Sequence, residues 1–283
     1  IVYRDFLDSN GKFERSNWIN LRKDFLAKKY SDNNEAYDAI RDMLSNLNDP
    51  YTRFLDPKEF NQMRIDTSGE LTGVGIQIVK DKESDSLIII SPIDGTPAYE
   101  AGIKARDKIL SIDDVSTKGL NIEDAVKLIR GRRGTKVKLE ILRNGNSFYK
   151  SLLRERIELK SVTSKINETK DGLLIGYVRL KQFNANASRE MKDTLKDLEI
   201  KKVSGYVLDL RSNPGGLLES SIDISRQFID KGIIVSTLSK DGLRETKRGN
   251  GKALTKKPLI VLVNEGSASA SEIVSGAIRD NNR

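Results

Sequence analysis

The chain has 283 residues, 37% of them apolar, with 49 Lys and Arg against 41 Asp and Glu for a net charge of +8, and it contains neither cysteine nor histidine. Those absences exclude a disulfide framework, a thiolate nucleophile, a zinc finger, a Ser-His-Asp triad and a two-His metal site. Any hydrolytic chemistry is left to hydroxyls, carboxylates, lysines and backbone amides.

At roughly 150 residues per domain, the length predicts about two domains or three small ones. Apolar runs such as Leu259 to Val263 fall far short of the roughly 20 residues that cross a bilayer, so no integral membrane segment is expected. The chain starts at Ile1 and stops at Arg283, and it reads as a piece of a longer product. Most of the positive charge, +7, falls in residues 151–283, much of it between Lys240 and Lys257. That stretch has no aromatic residue to stack on a base, so it reads as a solvated basic loop and no nucleic-acid partner is expected.

In chain order, residues 1–66 read as a helical module. Trp18, Leu21 and Phe25 recur at helical spacing, as do Ala36, Ile40, Met43, Leu44 and Leu47. Asp32 and Glu35 suggest a capping box opening the second helix, and Asp49-Pro50 is expected to close it. Residues 67–155 change to short strands: Gly73 to Ile78, Leu87 to Ile90, Lys108 to Ile112 and Val137 to Leu142, with one helix at Ile122 to Arg130 behind Asn121 and a tight turn at Asn144-Gly145. This predicts a partly open β-barrel with one helix.

Residues 156–283 alternate strands with amphipathic helices: strands at Leu173 to Leu180, Val203 to Leu210, Gly232 to Leu238 and Pro258 to Val263, and helices at Ala187 to Leu198, Gly216 to Ile229 and Ser269 to Arg279. The pattern is α/β with β-to-helix crossovers, so the whole chain is an α/β multidomain protein.

Nucleotide motifs fail. Gly251-Lys252 is followed by Ala253 where a Walker loop needs Ser or Thr, and no Gly-x-Gly-x-x-Gly opens a helix after a strand. No cofactor and no metal are expected. Gly73-Val74-Gly75-Ile76 fits either a plain turn or a loop whose amides hold an anion such as a peptide carboxylate. With Gly95 to Ile103, the run Ala101 to Asp113 and the single helix, this segment resembles a PDZ domain in its circularly permuted form. The resemblance implies that the amides of Val74, Gly75 and Ile76 hold the C-terminal carboxylate of a bound polypeptide.

Two loops of the last segment carry more. Asp209-Leu210-Arg211-Ser212-Asn213-Pro214-Gly215-Gly216 leaves a strand for a helix, which suits a tight turn or backbone amides aimed at a ligand. In Gly266-Ser267-Ala268-Ser269-Ala270-Ser271-Glu272 the serines fit helix capping, or one hydroxyl set beside backbone donors as a nucleophile requires. Together, and with Asp49 to Leu55 and Val178 to Asn184, these loops resemble the carboxyl-terminal processing peptidases, or tail-specific proteases, over nearly the whole chain. The likeness is strongest to the branch that trims the photosystem II reaction-centre protein.

The resemblance implies a serine endopeptidase with Ser269 as nucleophile and Ser267 and Ser271 in support. It implies oxyanion donors from Ala270 and from Gly215 or Gly216, and a lysine base about two dozen residues past the serine. That base falls outside these 283 residues, which are therefore expected to be inactive alone. Asp280 matches a recurrent aspartate. Eleven helical residues at about 1.5 Å each put it roughly 16 Å from Ser269, which suits a role in stabilising the core. The implied partner is a polypeptide with a free, unstructured C-terminus, and the implied compartment is the periplasm or thylakoid lumen. A general degradative protease and a non-catalytic tail-binding scaffold are the alternatives, and the oligomeric state is open.

Overall fold

The computed structural model describes residues 2, 6–8, 13–81, 84–240 and 242–283. It divides into two compact units, one of residues 1–68 with 161–283 and the other of residues 69–160.

The first unit opens with three helices, α1 (Arg15–Ala27), α2 (Asn33–Ser45) and α3 (Pro57–Ser68). The Asp32 side chain caps α2 by accepting from Glu35 N–H at 2.9 Å. Glu35 reaches past the expected partner to the N–H of Ser31 at 2.6 Å, so only half of a capping box forms. A reciprocal pair forms at α3, where Asp56 accepts from Glu59 N–H and Glu59 accepts from Asp56 N–H, both at 2.9 Å, and another capping box opens the last helix, Ala270–Asp280, between Ser269 and Glu272. Asp-Pro-Lys-Glu is the signal for α3 that the sequence reading passed over. Helix α2 ends before Asp49-Pro50, because Asn46 donates back to Asp42 O at 2.9 Å and Asn48 turns left-handed at φ 50°.

The rest of this unit is a four-stranded sheet in the order β14-β11-β10-β9, from β9 (Val162–Glu168), β10 (Leu174–Leu180), β11 (Gly205–Asp209) and β14 (Leu259–Leu262). Strands β10, β11 and β14 run parallel, with Val178 beside Leu208 and Leu208 beside Val261, and β9 is antiparallel to β10. Helices α6 (Ala187–Ile200), α7 (Leu218–Phe228) and α8 (Ala270–Asp280) supply Met191, Leu195, Ile222, Phe228, Val274 and Ile278 to one core with Val178, Leu180 and Leu208. The segment expected as a further strand of this series, β12 (Ile233–Leu238), instead pairs with β13 (Arg244–Arg248) in a separate two-stranded sheet. Past α8, the Arg283 guanidinium donates to the carbonyls of Phe228 at 3.0 Å, Thr255 at 3.2 Å and Lys257 at 2.8 Å.

The second unit carries an antiparallel sheet in the order β2-β3-β4-β6-β7, with β5 off β4. Its strands are β2 (Ile76–Lys80), β3 (Leu87–Pro92), β4 (Lys108–Ile112), β5 (Val115–Ser116), β6 (Lys136–Arg143) and β7 (Asn146–Leu153). Val137, Leu139 and Ile141 alternate inward from β6 onto Leu87, Ile89, Ile109 and Ile112. The helix α5 (Ile122–Ile129) is capped by Asn121 and closes the core with Ala125 and Ile129, and the short helix α4 (Pro97–Glu100) adds Ala98. Left-handed Asn144 and Gly145 form the expected hairpin turn. Strands β1 (Glu70–Gly73) and β8 (Glu155–Glu158) pair antiparallel at the two ends of the unit.

Candidate active site

Each of the two sequence-selected loops follows a parallel strand of the first unit, β11 or β14, and the second leads into α8. That is where an open α/β sheet leaves room for chemistry. Asn213, fully buried, joins them. Its amide nitrogen donates to Leu180 O at 2.9 Å, its amide oxygen accepts from Gly215 N–H at 2.9 Å, and its carbonyl accepts from Ala268 N–H at 3.1 Å and Ser271 Oγ at 2.9 Å. Asn264 adds a second tie by accepting from Ser212 N–H at 2.6 Å, and Ser267 Oγ donates to Leu210 O at 2.8 Å. The hydroxyls of Ser267 and Ser271 are thus engaged in holding one loop against the other.

Ser269 is exposed at the N-terminus of α8, and its backbone takes a positive φ of 52° with ψ −111°, outside the helical and extended regions. A β-carbon-bearing residue pays for such a conformation, which persists where the surroundings hold it. Two contacts do so here. Glu272 accepts the Ser269 N–H at 2.6 Å, and Gly215 lies so close that a β-carbon on it would stand 2.9 Å from Ser269 Cβ, 2.8 Å from Ala268 O and 3.0 Å from Ala270 N.

The neighbouring amides divide into used and available. Gly215 N–H is spent on Asn213. Phe183 N–H donates to Gly215 O at 2.9 Å and Phe183 O accepts from Leu217 N–H at 2.7 Å, which leaves the Gly216 amide on the opposite side of that bridge. Neither Gly216 N–H nor Ala270 N–H meets an acceptor among the described residues. The helix terminus adds partial positive charge at this point.

Beneath the loops, buried Asp209 accepts from the Arg211 guanidinium at 2.9 and 2.7 Å, from Arg211 N–H at 2.9 Å and from the Tyr177 hydroxyl. The Arg211 hydrogen bonds, with that of Tyr177, overcome burial and hold its carboxyl far below the usual carboxylate range. The clamping roles of Asn213, Asn264 and Asp209 escaped the sequence reading. The available signal was a buried-type Asn before Pro-Gly-Gly, whose four-way satisfaction only the fold reveals. Asp280 is exposed at the far end of α8, its side chain 65% accessible and its carboxylate 2.9 Å from Arg279 Nε. The core support expected of it is corrected accordingly, because a solvated carboxylate beside a solvated arginine holds little.

In the second unit Val74 and Gly75 form the loop between β1 and β2, and Ile76 begins β2. Gly75 takes φ 78°, and a β-carbon there would collide with Thr96 at 2.3 Å. The carbonyls of this loop are occupied, Val74 O by Ala98 N–H at 2.9 Å and Gly75 O by Ile93 N–H at 2.8 Å. The N–H groups of Val74 and Gly75 meet no acceptor among the described residues. Beside them lies an apolar groove of about 80 Å³ lined by Leu71, Ile76, Ile78, Val126, Ile129 and Arg130 among others.

Residues 174–283 match peptidase family S41 and residues 88–143 match the PDZ domain. The chain is 42% identical to the carboxyl-terminal-processing protease of Synechocystis over 100% of its own length and 66% of that protein's. It is 37% identical to the carboxy-terminal processing protease CtpA of Bacillus subtilis, over 96% and 58% respectively. A solved structure, the photosystem II D1 C-terminal processing protease, is 33% identical with a TM-score of 0.55, covering 99% of this chain and 76% of that one. The chain therefore spans about two thirds or less of the length of these curated relatives.

Proposed function

Because the chain belongs to peptidase family S41, we propose that it is the binding and nucleophile-bearing part of a serine endopeptidase that cuts near protein C-termini. The observation that carries this reading is the exposed Ser269 hydroxyl, held at positive φ at a helix N-terminus beside two amides that meet no acceptor among the described residues. Ser269 Oγ attacks the scissile carbonyl carbon as its proton passes to a neutral amine. The carbonyl oxygen takes up the negative charge and receives hydrogen bonds from Gly216 and Ala270. The C–N bond then breaks as the amine base returns the proton to the leaving nitrogen, and water hydrolyses the acyl-enzyme by the same route.

Gly215 is left as the spacer that lets the loop reach Ser269, since its own N–H is committed. The base in this reading is the lysine implied past the nucleophile, outside these 283 residues. A lysine suits the task because burial lowers its pKa toward neutrality.

The PDZ unit holds the substrate tail. The carboxylate sits on the amides of Val74, Gly75 and Ile76, and the terminal side chain enters the groove between β2 and α5 while the tail extends β2 as an added strand. The substrate is the C-terminal extension of the photosystem II reaction-centre protein, a choice supported by the name of the solved photosystem II D1 C-terminal processing protease, and the compartment is the periplasm or thylakoid lumen. No described helix is long and apolar enough to cross a membrane. The Bacillus relative at 37% identity favours a second reading, in which the same machinery trims protein tails more generally.

The test uses the gene product including the lysine-bearing segment and a peptide with a free carboxyl end. Cleavage is expected, with Ser269→Ala lowering kcat by about 10³-fold or more, and amidation of the peptide raising KM. The 283 residues alone are expected to give no turnover. Unchanged turnover by Ser269→Ala would overturn the assignment and leave a tail-binding scaffold.

A further inference from the structure

The last turn of α5 supplies Val126 and Ile129 to the apolar groove of the second unit, beside Ile76 and Ile78 of β2. Where that turn stands therefore sets the width of the groove. Its own backbone does not fix it. The last bond within the helix runs from Arg130 N–H to Val126 O at 2.9 Å, and the carbonyls of Leu128 and Ile129 lie beyond it.

Arg154, the residue after β7, supplies their donors. Its guanidinium donates to Leu128 O and Ile129 O, both at 2.8 Å, to Lys136 O at 2.6 Å and to Thr135 Oγ1 at 3.1 Å. Its backbone is fixed as well, with its N–H on Thr135 O at 2.7 Å and its carbonyl accepting from Gly134 N–H at 2.8 Å. This arginine is 7% exposed, and its carboxylate contact, half-exposed Asp113 at 3.5 Å, is the longest of its contacts. The buried charge is thus held chiefly by carbonyl oxygens, two of them at the negative end of a helix. Gly131 makes room for it: a β-carbon there would stand 2.8 Å from Arg154 Nε and 2.9 Å from its Cδ. The other end of α5 is tied separately, where Lys80 at the end of β2 donates to Leu120 O at 2.5 Å and pairs with Asp85 at 2.7 Å.

We propose that Arg154 is a positioning residue for tail binding: by holding the last turn of α5 to the start of β6 it fixes the width of the groove and so decides which terminal side chains enter. The groove holds about 80 Å³, near half the roughly 150 Å³ that admits a benzene ring. At this width it takes a small aliphatic side chain and refuses an aromatic one. The inference rests on the reading that the groove receives a substrate tail.

The test measures binding of labelled peptides to the 283-residue protein by fluorescence anisotropy. The peptides end in valine or phenylalanine with a free carboxyl group, and a third is the valine peptide amidated. The unmodified protein is expected to favour valine about tenfold or more and to lose affinity on amidation. Arg154→Met should narrow the preference to about threefold or less, with Arg154→Lys recovering part of it, because an ammonium reaches fewer of the carbonyls. Gly131→Ala, which displaces the guanidinium and removes no hydrogen-bonding group, should narrow it too, and it decides the matter where Arg154→Met fails to fold. Lys80→Met loosens the far end of α5 and should lower the melting temperature with the preference kept. A preference retained by both Arg154→Met and Gly131→Ala, one lost equally in Lys80→Met, or none in the unmodified protein overturns the inference and leaves tail binding standing. Failure of the unmodified protein to bind either free-carboxyl peptide overturns the tail-binding reading, and this inference with it.

Discussion

The loop at Gly75 and the loop at Ser269 perform the same backbone manoeuvre with different residues. Both place one residue at positive φ, 78° in one and 52° in the other, beside amides that meet no acceptor among the described residues. At Gly75 no side chain is needed, so the position carries the residue for which the conformation is cheap, and buried Thr96 occupies the space a β-carbon would take. At Ser269 the proposed function needs the hydroxyl, so the strained position keeps a side chain, held by Glu272 and Gly215 directly and by Asn213 through the neighbouring Ala268 and Ser271. A binding loop can relieve its strain by sequence, whereas a nucleophile loop has to be restrained by its neighbours.

The largest expected break in this parallel is Gly215→Ala. Its new methyl meets Ala268 O at 2.8 Å and Ser269 Cβ at 2.9 Å, so the proposed nucleophile shifts against the amides proposed as its donors. We expect kcat in the competent enzyme to fall about 10²–10³-fold, measured on a tail peptide, with KM changed little because the PDZ groove is untouched.

Gly75→Ala should do the converse. The clash with Thr96 at 2.3 Å and the positive φ together cost on the order of 3 kcal/mol, visible as earlier urea unfolding of the second unit and as a raised KM. If kcat falls and KM does not, the division of labour between the loops is wrong.

Asn213→Ala sharpens the comparison, because it removes restraint without touching either loop's reacting atoms. It leaves Leu180 O and Gly215 N–H unpaired in a buried setting, a loss of about 2 kcal/mol. The kcat should drop with KM held, and Asn213→Asp should restore only the contact to Gly215.

The smallest effect concerns pH. Asp209 has its carboxyl depressed in the fold, by the Arg211 hydrogen bonds first and the Tyr177 bond next. Its stabilisation is therefore complete above the unfolded carboxylate value near about 4 and fades as pH falls through the lower folded value. Tyr177→Phe removes one donor and should move acid unfolding of the first unit to higher pH, followed by near-ultraviolet circular dichroism.

Much of this architecture was readable in advance, where local pattern and tertiary role agree. The alternation of Val137, Leu139 and Ile141 placed β6, and Asn144-Gly145 fixed the turn beyond it. The glycine-rich strand exits of the first unit marked the loops that the fold brings together. What stayed hidden depends on partners distant in sequence. Strand β9 is nearly all exposed along Thr163 to Glu168, so no apolar alternation announces it. β12 reads like a sheet strand, yet it leaves the series for β13, whose Arg-Glu-Thr-Lys-Arg carries no strand signature. The division of work between Gly215 and Gly216 was equally invisible, since it rests on which amide Asn213 captures.

Arg283 gives α8 a property that its own sequence lacks. Burial pushes this guanidinium below its ordinary value, but arginine stays cationic. It bonds the end of α7 at Phe228 and the approach to β14 at Thr255 and Lys257. A helix tied at its start by Asn213 and past its end by this cation cannot roll about its axis without breaking both attachments at once. The aim of the Ser269 hydroxyl is thereby gauged against the sheet from two directions, and slow amide exchange along α8 is the signature of that double mooring.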